Sequence, residues 1–380
     1  MTSAIPMTPV NTVTIIGTGM IGTSIALALT ERRVTVHLQD ASEEALRIAE
    51  AMGAGIVAAP GRPTDLAVLA VPPRHVPGVL NDAQRRGTAR HYTDVASVKT
   101  LGRAGPGGPG FDSSRFVGGH PIAGREKPGP AAARGDLFHA KPWVLTPTAH
   151  TSDETSGAAR RLVELCGATL VTMDAHAHDR AVAVTSHLPH LLSSLTARLL
   201  READPHALTL VGSGLRDFTR ISAGDPELWT DILGSNATAV RDALEVLAGD
   251  VDRTLRALRS LTGEGAGPAA GADEDAAARQ WLRTVLEEGR DGRARIPVKY
   301  GPQDRVFAQL RVALPDREGE LARLLSDVSR RGVNVEDLRI DNDPEAPSGL
   351  IELLVDETEA EKLALWLTGL GWQVHAPTPA

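Results

Sequence analysis

The segment VTIIGTGMIGTSIALAL, residues 13–29, indicates the fold of the first half of the chain. A short apolar run ending at Ile16 leads directly into Gly17-Thr18-Gly19-Met20-Ile21-Gly22, and an apolar helix-like run follows. In this strand-to-helix context, a GxGxxG pattern lets the backbone turn tightly and approach a pyrophosphate, whose charge then lies at the helix N-terminus. The segment therefore predicts a Rossmann-type dinucleotide site, formed by Gly17, Gly19, Met20, Ile21 and Gly22.

Asp40 lies 18 residues after Gly22, at the end of the next predicted strand. A carboxylate at this position accepts hydrogen bonds from the adenosine ribose hydroxyls and repels a 2′-phosphate, and no arginine is among its immediate neighbours. We therefore expect NAD rather than NADP, and we add Val71, from the following apolar run, to the cofactor-binding set. The alternative is that the glycines form a structural turn and Asp40 is a solvated strand end.

The chain divides into three parts by the periodicity of its apolar residues. Residues 10–173 alternate strand-like and helix-like segments, which predicts βαβ units and a mainly parallel sheet. Residues 174–290 have helical spacing without strand alternation, so we expect an all-helical middle domain. Residues 304–378 follow the order strand, helix, strand, strand, helix, strand, which predicts a small ferredoxin-like domain. Residues 262–277 are rich in Gly, Ala and acidic residues, and we interpret them as a connector.

Charge and cysteine content exclude several classes of protein. The formal net charge is -8 and no basic run occurs, which disfavours a nucleic-acid or anionic-membrane partner. Cys166 is the sole cysteine, so internal disulfides and zinc ribbons are excluded. The start of the chain lacks the pattern of a secretory signal, and no apolar stretch reaches the length of a membrane span. A reducing cytoplasm is the expected location.

Two polar features outside the glycine loop are candidates for chemistry. His120 lies in GGHPIAG, residues 118–124, where a conformationally fixed loop can keep a histidine neutral and able to accept a proton from a hydroxyl. Arg216 and Arg220 are four residues apart on one predicted helix face and suggest an anionic substrate. The alternatives are a histidine buried for turn geometry and surface arginines paired with neighbouring aspartates.

A histidine-rich segment, residues 176–190, also allows a metal site to be considered. We do not favour one, because these positions do not repeat on one helix face, and we expect no metal. The side chains concerned are His176, His178, Asp179, His187 and His190.

Taken in order, these motifs resemble the prephenate/arogenate dehydrogenase family of tyrosine biosynthesis. The matching segments run from about residue 12 to 240. They are GTGMIG, DVASVK, GGHPIAG followed by Glu126-Lys127, AHDRAVAVTSHLPH, and GLRDFTRIS with DPELW after it. The resemblance implies NAD-dependent oxidative decarboxylation of prephenate to 4-hydroxyphenylpyruvate or, as the alternative, of arogenate to tyrosine.

The resemblance also implies catalytic roles for three side chains. His120 would hydrogen-bond the ring hydroxyl of the substrate and withdraw its proton as hydride leaves the same carbon. Ser97 would orient His120 and touch both the substrate and the nicotinamide. His190 would complete the pocket beside the substrate side chain.

Four further side chains would bind the substrate. Arg220 would hold a substrate carboxylate, and Arg216 would support the charge balance. His187 would line the pocket with His190, and Glu126 would help to gate its entrance.

The last part of the chain resembles an ACT domain, a regulatory module that binds amino acids. The match consists of Asp316-Arg317-Glu318-Gly319-Glu320-Leu321 and Gly332-Val333-Asn334. We expect tyrosine to bind there as a feedback effector, with backbone groups around Gly319 meeting its carboxylate and Asp316 and Asn334 meeting its ammonium. The alternative is that the tail stabilises the oligomer or binds a different amino acid.

Other functions fit the sequence less well. A non-catalytic sensor of NAD and amino acids is disfavoured by the presence of His120, Ser97 and Arg220. A β-hydroxyacid dehydrogenase would need a lysine in the helical domain, and residues 174–290 contain none. A relative acting on a 4-amino analogue is disfavoured by the ACT-like tail. The apolar positions on more than one face of the middle helices predict a homodimer.

Overall fold

The computed structural model describes residues 7–100, 111–124, 129–262, 272–296, 306–341 and 348–379. By its internal contacts the chain forms two compact units, Met1–Arg253 and Thr254–Ala380. The division into 10–173, 174–290 and 304–378 stays a prediction.

A seven-stranded sheet forms the centre of the first unit, in the order β2-β1-β3-β4-β5-β6-β7. All neighbouring strands are parallel except the pair β5 and β6, so the mainly parallel sheet is confirmed. The strands are β1 Thr12–Ile16, β2 Thr35–Gln39, β3 Thr64–Leu69, β4 Ala89–Asp94, β5 Phe116–Pro121, β6 Pro142–Thr146 and β7 Thr169–Thr172.

Four helices connect these strands and cover the sheet. The buried faces of the first, second and fourth pack with the strands into the main apolar core, in which Ile15, Ile25 and Leu38 are almost completely buried, and the third packs into a smaller core with β3 and β4. The alternating strand and helix order places the carboxyl ends of β1, β3 and β4 at one edge of the sheet, where parallel α/β folds bind ligands. The helices are α1 Met20–Glu31, α2 Glu43–Ala51, α3 Val76–Arg85 and α4 Asp153–Leu165.

The rest of the first unit is helical, as expected. A single π-helical turn, Ala183–His187, joins the first two helices of this region. The next long helix, α10, runs from this unit into the second one. The helices are α5 Ala175–Val182, α6 Leu188–Leu199, α7 Pro205–Leu208, α8 Ser213–Arg220, α9 Pro226–Ser235 and α10 Ala237–Leu261.

The second unit contains α11, Ala272–Ala294, and a four-stranded antiparallel sheet in the order β11-β8-β10-β9. Two helices pack against this sheet, and the core between them includes Leu310, Leu353, Leu363 and Trp372. Two strands differ from the predicted bounds: β9 begins at Asp337 rather than Val333, and the final pairing falls on residues 378–379, after a single bridge at Val374. The elements are β8 Phe307–Pro315, α12 Glu320–Arg330, β9 Asp337–Asp341, β10 Ser348–Asp356, α13 Glu357–Gly369 and β11 Thr378–Pro379.

Among the described residues, no helix is both long enough and apolar enough to cross a membrane.

Candidate active site

The glycine loop has the geometry of a phosphate cradle. Gly17 has φ +104, and a Cβ there would lie 2.3 Å from the carbonyl oxygen of Ala70, so only glycine fits without strain. A Cβ on Gly22 would lie 1.9 Å from the carbonyl oxygen of Gly17. A Cβ on Gly19 would meet nothing within 4 Å, which leaves open space directly before the N-terminus of α1. These residues therefore fit a dinucleotide whose pyrophosphate lies at that terminus.

Asp40 ties the end of β2 to the glycine loop. Its Oδ2 accepts hydrogen bonds from the backbone N–H (2.5 Å) and the hydroxyl (2.9 Å) of Thr18, and its Oδ1 accepts one from the backbone N–H of Ser42 (2.8 Å). The carboxylate is thus fixed beside the loop, where its remaining lone pairs can accept ribose hydroxyls. Val71 lies beside the same loop, since a Cβ on Gly17 would be 3.2 Å from its Cγ1.

A buried ion pair links the ends of β4 and β5. Lys99 Nζ lies 2.5 Å from Asp94 Oδ2, and both side chains are about 1% exposed. Lys99 Nζ also donates to the carbonyl oxygen of Gly119, and Asp94 Oδ1 accepts the backbone N–H of Gly119 at 2.9 Å. Burial lowers the pKa of Lys99, and the Asp94 carboxylate opposes that shift. The pair holds the backbone of β5 next to His120.

His120 lies within β5, opposite Val144 of β6, rather than in a loop after the strand. Its Nδ1 lies 2.9 Å from Nε2 of His178. Burial holds the pKa of His120 well below its usual range, and the positive charge of Lys99 lowers it further. His120 is therefore neutral near pH 7, as the sequence predicts, and its Nε2 is the ring nitrogen left for a substrate.

Sequence reasoning gave no role to His178 and Asp179, which lie beside His120. Nδ1 of His178 is 2.8 Å from Asp179 Oδ1, and both residues are buried. Asp179 also accepts hydrogen bonds from the backbone N–H groups of Lys99 (2.8 Å) and Thr100 (2.7 Å) and from the Thr100 hydroxyl. The adjacent His-Asp pair in the sequence was the available signal.

Ser97 has no hydrogen bond to His120 in the described part of the chain, and its expected role in orienting this ring stays a prediction. The Nδ1 position of His120 is taken by His178, which lies on α5 rather than in the loop after β4. Ser97 is half-buried in that loop. Its contacts with substrate and nicotinamide stay predictions.

His187 ends the π-helical turn and is almost completely buried. Asn236 Nδ2 donates to the carbonyl oxygen of Asp179 at 2.8 Å and lies 3.1 Å from Nδ1 of His187. Because that nitrogen of Asn236 is a donor, Nδ1 of His187 must accept, and its Nε2 carries the proton. Burial lowers the pKa of His187 to about 4. His187 is thus a neutral hydrogen-bond donor, whereas Nε2 of His120 is free to accept.

His190 stacks on the indole of Trp229, with ring centroids 3.5 Å apart and planes 11° apart. Burial lowers its pKa. Gly224 permits this contact, because a Cβ there would lie 2.5 Å from Trp229 Nε1 and 3.0 Å from His190 Cε1. The sequence motif included Trp229 but gave no reason for it, and the stacking supplies one.

The two arginines lie on α8, and both are exposed. The hydroxyl of Ser193 on α6 donates to the carbonyl oxygen of Phe218 on α8 at 2.8 Å, which fixes α8 against the helix that carries His190. The helix that carries Arg216 and Arg220 is therefore held against the helix that carries His190. Glu126 lies outside the described residues.

The described side chains include no group of three or more His, Cys, Asp or Glu residues that could hold a metal ion. The histidines considered for such a site have other partners: His178 contacts His120, His187 contacts Asn236, and His190 contacts Trp229.

A cavity of about 530 Å³ lies in the second unit, at the start of α12. Asp316 and Gly319 line it, together with Leu321 and Ile340. Asn334 is not among its lining residues, and its amide donates to Glu336 Oε1 at 2.7 Å instead. The structure therefore brings Asp316 and Gly319 together but not Asn334, and the expected role of Asn334 stays a prediction.

The first unit thus brings together parts that suit hydride transfer. A glycine loop fits a dinucleotide, and a neutral histidine has one ring nitrogen free to accept a proton. A second neutral histidine can donate a hydrogen bond, and two exposed arginines lie on α8, which contacts the helix that carries His190. This set suits the oxidation of a hydroxyl group on an anionic small molecule.

Comparison with known proteins gives a consistent result. The family model "Prephenate dehydrogenase, nucleotide-binding domain" matches residues 25–172, and "Prephenate dehydrogenase, dimerization domain" matches residues 174–265. A probable prephenate dehydrogenase of Streptomyces niveus is 42% identical over 367 residues, covering 96% of this chain and 99% of the relative.

Two solved structures are also similar. Prephenate dehydrogenase from A. aeolicus, in complex with hydroxyphenyl propionate and NAD+, has 26% identity and a TM-score of 0.59, covering 76% of this chain and 99% of that one. Arogenate dehydrogenase from Synechocystis has 26% identity and a TM-score of 0.59, covering 75% of this chain and 100% of that one.

Proposed function

The chain belongs to the prephenate dehydrogenase family, and from that premise we propose that it catalyses the NAD-dependent oxidative decarboxylation of prephenate to 4-hydroxyphenylpyruvate. The observation that carries this proposal is His120, a neutral base held by His178 with its Nε2 left for a substrate hydroxyl. The non-catalytic sensor is not retained, because the family is one of NAD-dependent oxidoreductases and this base is in place.

The chain's own groups perform the proton chemistry. Bound NAD supplies the acceptor for the hydride that leaves the hydroxyl-bearing ring carbon. As positive character develops on that carbon, His120 Nε2 withdraws the hydroxyl proton, and this stabilises the developing positive charge on the carbon. Loss of the ring carboxylate as carbon dioxide yields an aromatic ring, so the step is effectively irreversible. His187 donates a hydrogen bond in the pocket, and Arg220, supported by Arg216, holds a substrate carboxylate.

A second candidate is arogenate, which differs from prephenate by an amino group in place of the side-chain keto group. It is favoured by the equal similarity to the Synechocystis arogenate dehydrogenase. One assay separates the two: NADH formation is followed with each substrate alone, together with release of carbon dioxide. We expect the larger kcat/KM with prephenate. Absence of NAD reduction with either substrate would contradict the proposed function.

We also propose a homodimer formed by the helical part of the first unit. The matched model for residues 174–265 is described as a dimerization domain. Leu195, Leu199, Val246 and Val251 are exposed on these helices, with 46 to 75% of their surface accessible. Sedimentation at micromolar concentration should give twice the mass of the chain, and a monomer would contradict the proposal.

For the second unit, we propose an ACT-like regulatory role with tyrosine as the effector. The βαββαβ order and the cavity beside Gly319 support it. To inhibit by more than competition, tyrosine must bind one arrangement of the enzyme better than another, and coupling of about 1–3 kcal/mol is usual.

The test of regulation uses the full-length chain. Ala322→Trp fills the cavity from α12, and Leu365→Trp adds the same side chain at an exposed position of α13 that does not line the cavity. We expect the first variant to lose tyrosine inhibition, and the second to keep it. Equal inhibition of both variants and the wild type would place tyrosine at the active site and remove the regulatory role.

The buried thiol of Cys166 fits a reducing compartment, and we include the cytoplasm in the proposal.

A further inference from the structure

Three side chains form a continuous chain of contacts in the first unit, from the base to a buried carboxylate. They are His120 on β5 and His178 and Asp179 on α5, joined by nitrogen–nitrogen and nitrogen–oxygen distances of 2.9 Å and 2.8 Å. In the function proposed above His178 only holds the base by its Nδ1, and Asp179 has no part. Their positions call for one, because His178 occupies the nitrogen of the base that faces away from the substrate.

The protons on this chain can be assigned from its carboxylate end. Asp179 Oδ1 accepts the backbone N–H of Lys99, and Oδ2 accepts the backbone N–H and the hydroxyl of Thr100. Burial raises the pKa of Asp179, but hydrogen bonds from His178, Thr100 and Lys99 outweigh it and hold the pKa below its usual range. The carboxylate is therefore ionised and can only accept, so Nδ1 of His178 carries a proton.

The assignment then passes to His120. In its neutral form His178 has one ring proton, which is on Nδ1, so its Nε2 has a lone pair. That lone pair faces His120 Nδ1 at 2.9 Å, and Nδ1 of His120 must donate to it. Nε2 of His120 is then unprotonated, which is the tautomer that a base for the substrate hydroxyl requires.

His120 is nevertheless poorly suited to keep the proton it accepts. Burial and the nearby charge of Lys99 both disfavour its cationic form, and they hold its pKa well below the usual range. The neighbouring ring has a different environment, since His178 contacts the Asp179 carboxylate directly. A proton that reaches His178 therefore arrives beside an opposite charge, whereas the cation nearest to His120 is Lys99.

We propose that His178 and Asp179 act through His120 as a proton relay for the reaction proposed above. The proton of the substrate hydroxyl moves to Nε2 of His120, and the Nδ1 proton of His120 moves to Nε2 of His178. His120 ends neutral, and the cationic His178 is balanced by the Asp179 carboxylate. Both are positioning residues, because neither needs to touch the substrate.

The main test is His178→Gln in the full-length enzyme. A glutamine oxygen can still accept the Nδ1 proton of His120 as a hydrogen bond, which keeps the tautomer, but it cannot take up the proton. We expect kcat for prephenate to fall about 100-fold, the size of a typical general-base contribution, with KM and the NAD dissociation constant changed less than about threefold. His176→Gln, on an exposed residue of the same helix, is the matched control and should behave as the wild type. A His178→Gln enzyme with kcat within threefold of the wild type would overturn the relay.

Asp179→Asn gives a second readout, which a merely structural lesion would not produce. Removing the negative charge makes protonation of the histidine pair harder, so kcat falls and the acid limb of the kcat/KM profile moves to lower pH by about one unit. A fall in rate without movement of that limb would count against the relay.

A third measurement needs neither turnover nor a variant, so it applies even if His178→Gln does not fold or the wild type oxidises neither substrate. Histidine nitrogen chemical shifts in the wild-type protein report the tautomer of each ring. The relay requires His120 and His178 to be protonated on Nδ1, and a proton on Nε2 of His120 would overturn it. An enzyme inactive on both substrates with the expected tautomers would refute the proposed substrate and leave the relay supported.

Discussion

The buried pair of Lys99 and Asp94 allows a prediction whose size follows from its surroundings. Lys99→Met keeps most of the volume of the side chain but leaves Asp94 as an uncompensated charge in a site that is about 1% exposed. Breaking a buried pair from one side costs about 3–5 kcal/mol. At about 2–4 °C per kcal/mol for a unit of this size, the Tm of the first unit should fall by about 6–20 °C.

Scanning calorimetry measures this shift, and Lys141→Met is the matched control, because Lys141 is exposed. Adding Asp94→Asn to Lys99→Met should recover much of the loss, since the amide oxygen can still accept the N–H of Gly119 without a buried charge. Removing the Lys99 charge also raises the pKa of His120, so the acid limb of kcat/KM should move to higher pH. Two results would refute the reasoning. One is a Lys99→Met protein with the same Tm as the Lys141→Met control, and the other is a double variant with a lower Tm than Lys99→Met alone.

Three further predictions concern the site. His120→Asn should keep NAD affinity and lower turnover about 100-fold, as measured by steady-state kinetics and cofactor titration, and near-normal turnover would remove His120 from the mechanism. The wild type should have a higher kcat/KM with NAD than with NADP, because the Asp40 carboxylate repels a 2′-phosphate. Asp40→Ser should lower the ratio of kcat/KM with NAD to kcat/KM with NADP, and a wild type that prefers NADP would contradict this. Asn236→Leu should lower the free energy of unfolding by about 1–3 kcal/mol and raise KM, because it leaves His187 Nδ1 without a donor and removes one of the two donors to the Asp179 carbonyl; calorimetry and kinetics measure both effects, and an unchanged Tm and KM would count against the assigned contacts.

The sequence allowed the nucleotide half of the site to be predicted because its constraints are local. The geometry of Gly17, Gly19 and Gly22 depends on the few residues between β1 and α1, and Asp40 directly follows the adjacent strand β2. His120 could be predicted as a neutral histidine from the residues around it. Each of these inferences used only short stretches of backbone.

The other half of the site depends on contacts between distant segments. The expectation that the histidines of residues 176–190 do not repeat on one helix face holds in a regular α-helix only for His178, which would lie about 200° from His176, whereas His187 and His190 would lie within about 40° of His176. The π-helical turn Ala183–His187 changes the phase between the two helices, so this criterion does not apply. The partners of His178 and His190 could not be read from local spacing either, because His120 and Trp229 lie 58 and 39 residues away in the sequence.

That π-helical turn also determines which mutations this part of the chain can accept. A π turn is equivalent to an α-helix with one additional residue, so the length of Ala183–His187 carries information that its composition does not. Val184 and Thr185 are exposed, and many side chains could replace them. Deleting either one would restore an unbroken α-helix and leave His178 and His187 at about the same relative rotation, because the π turn already gives the flanking helices the phase of a chain one residue shorter. In alignments of related chains, a one-residue gap should therefore be tolerated in this turn, whereas a gap within α5 or α6 would misplace His178 or His190.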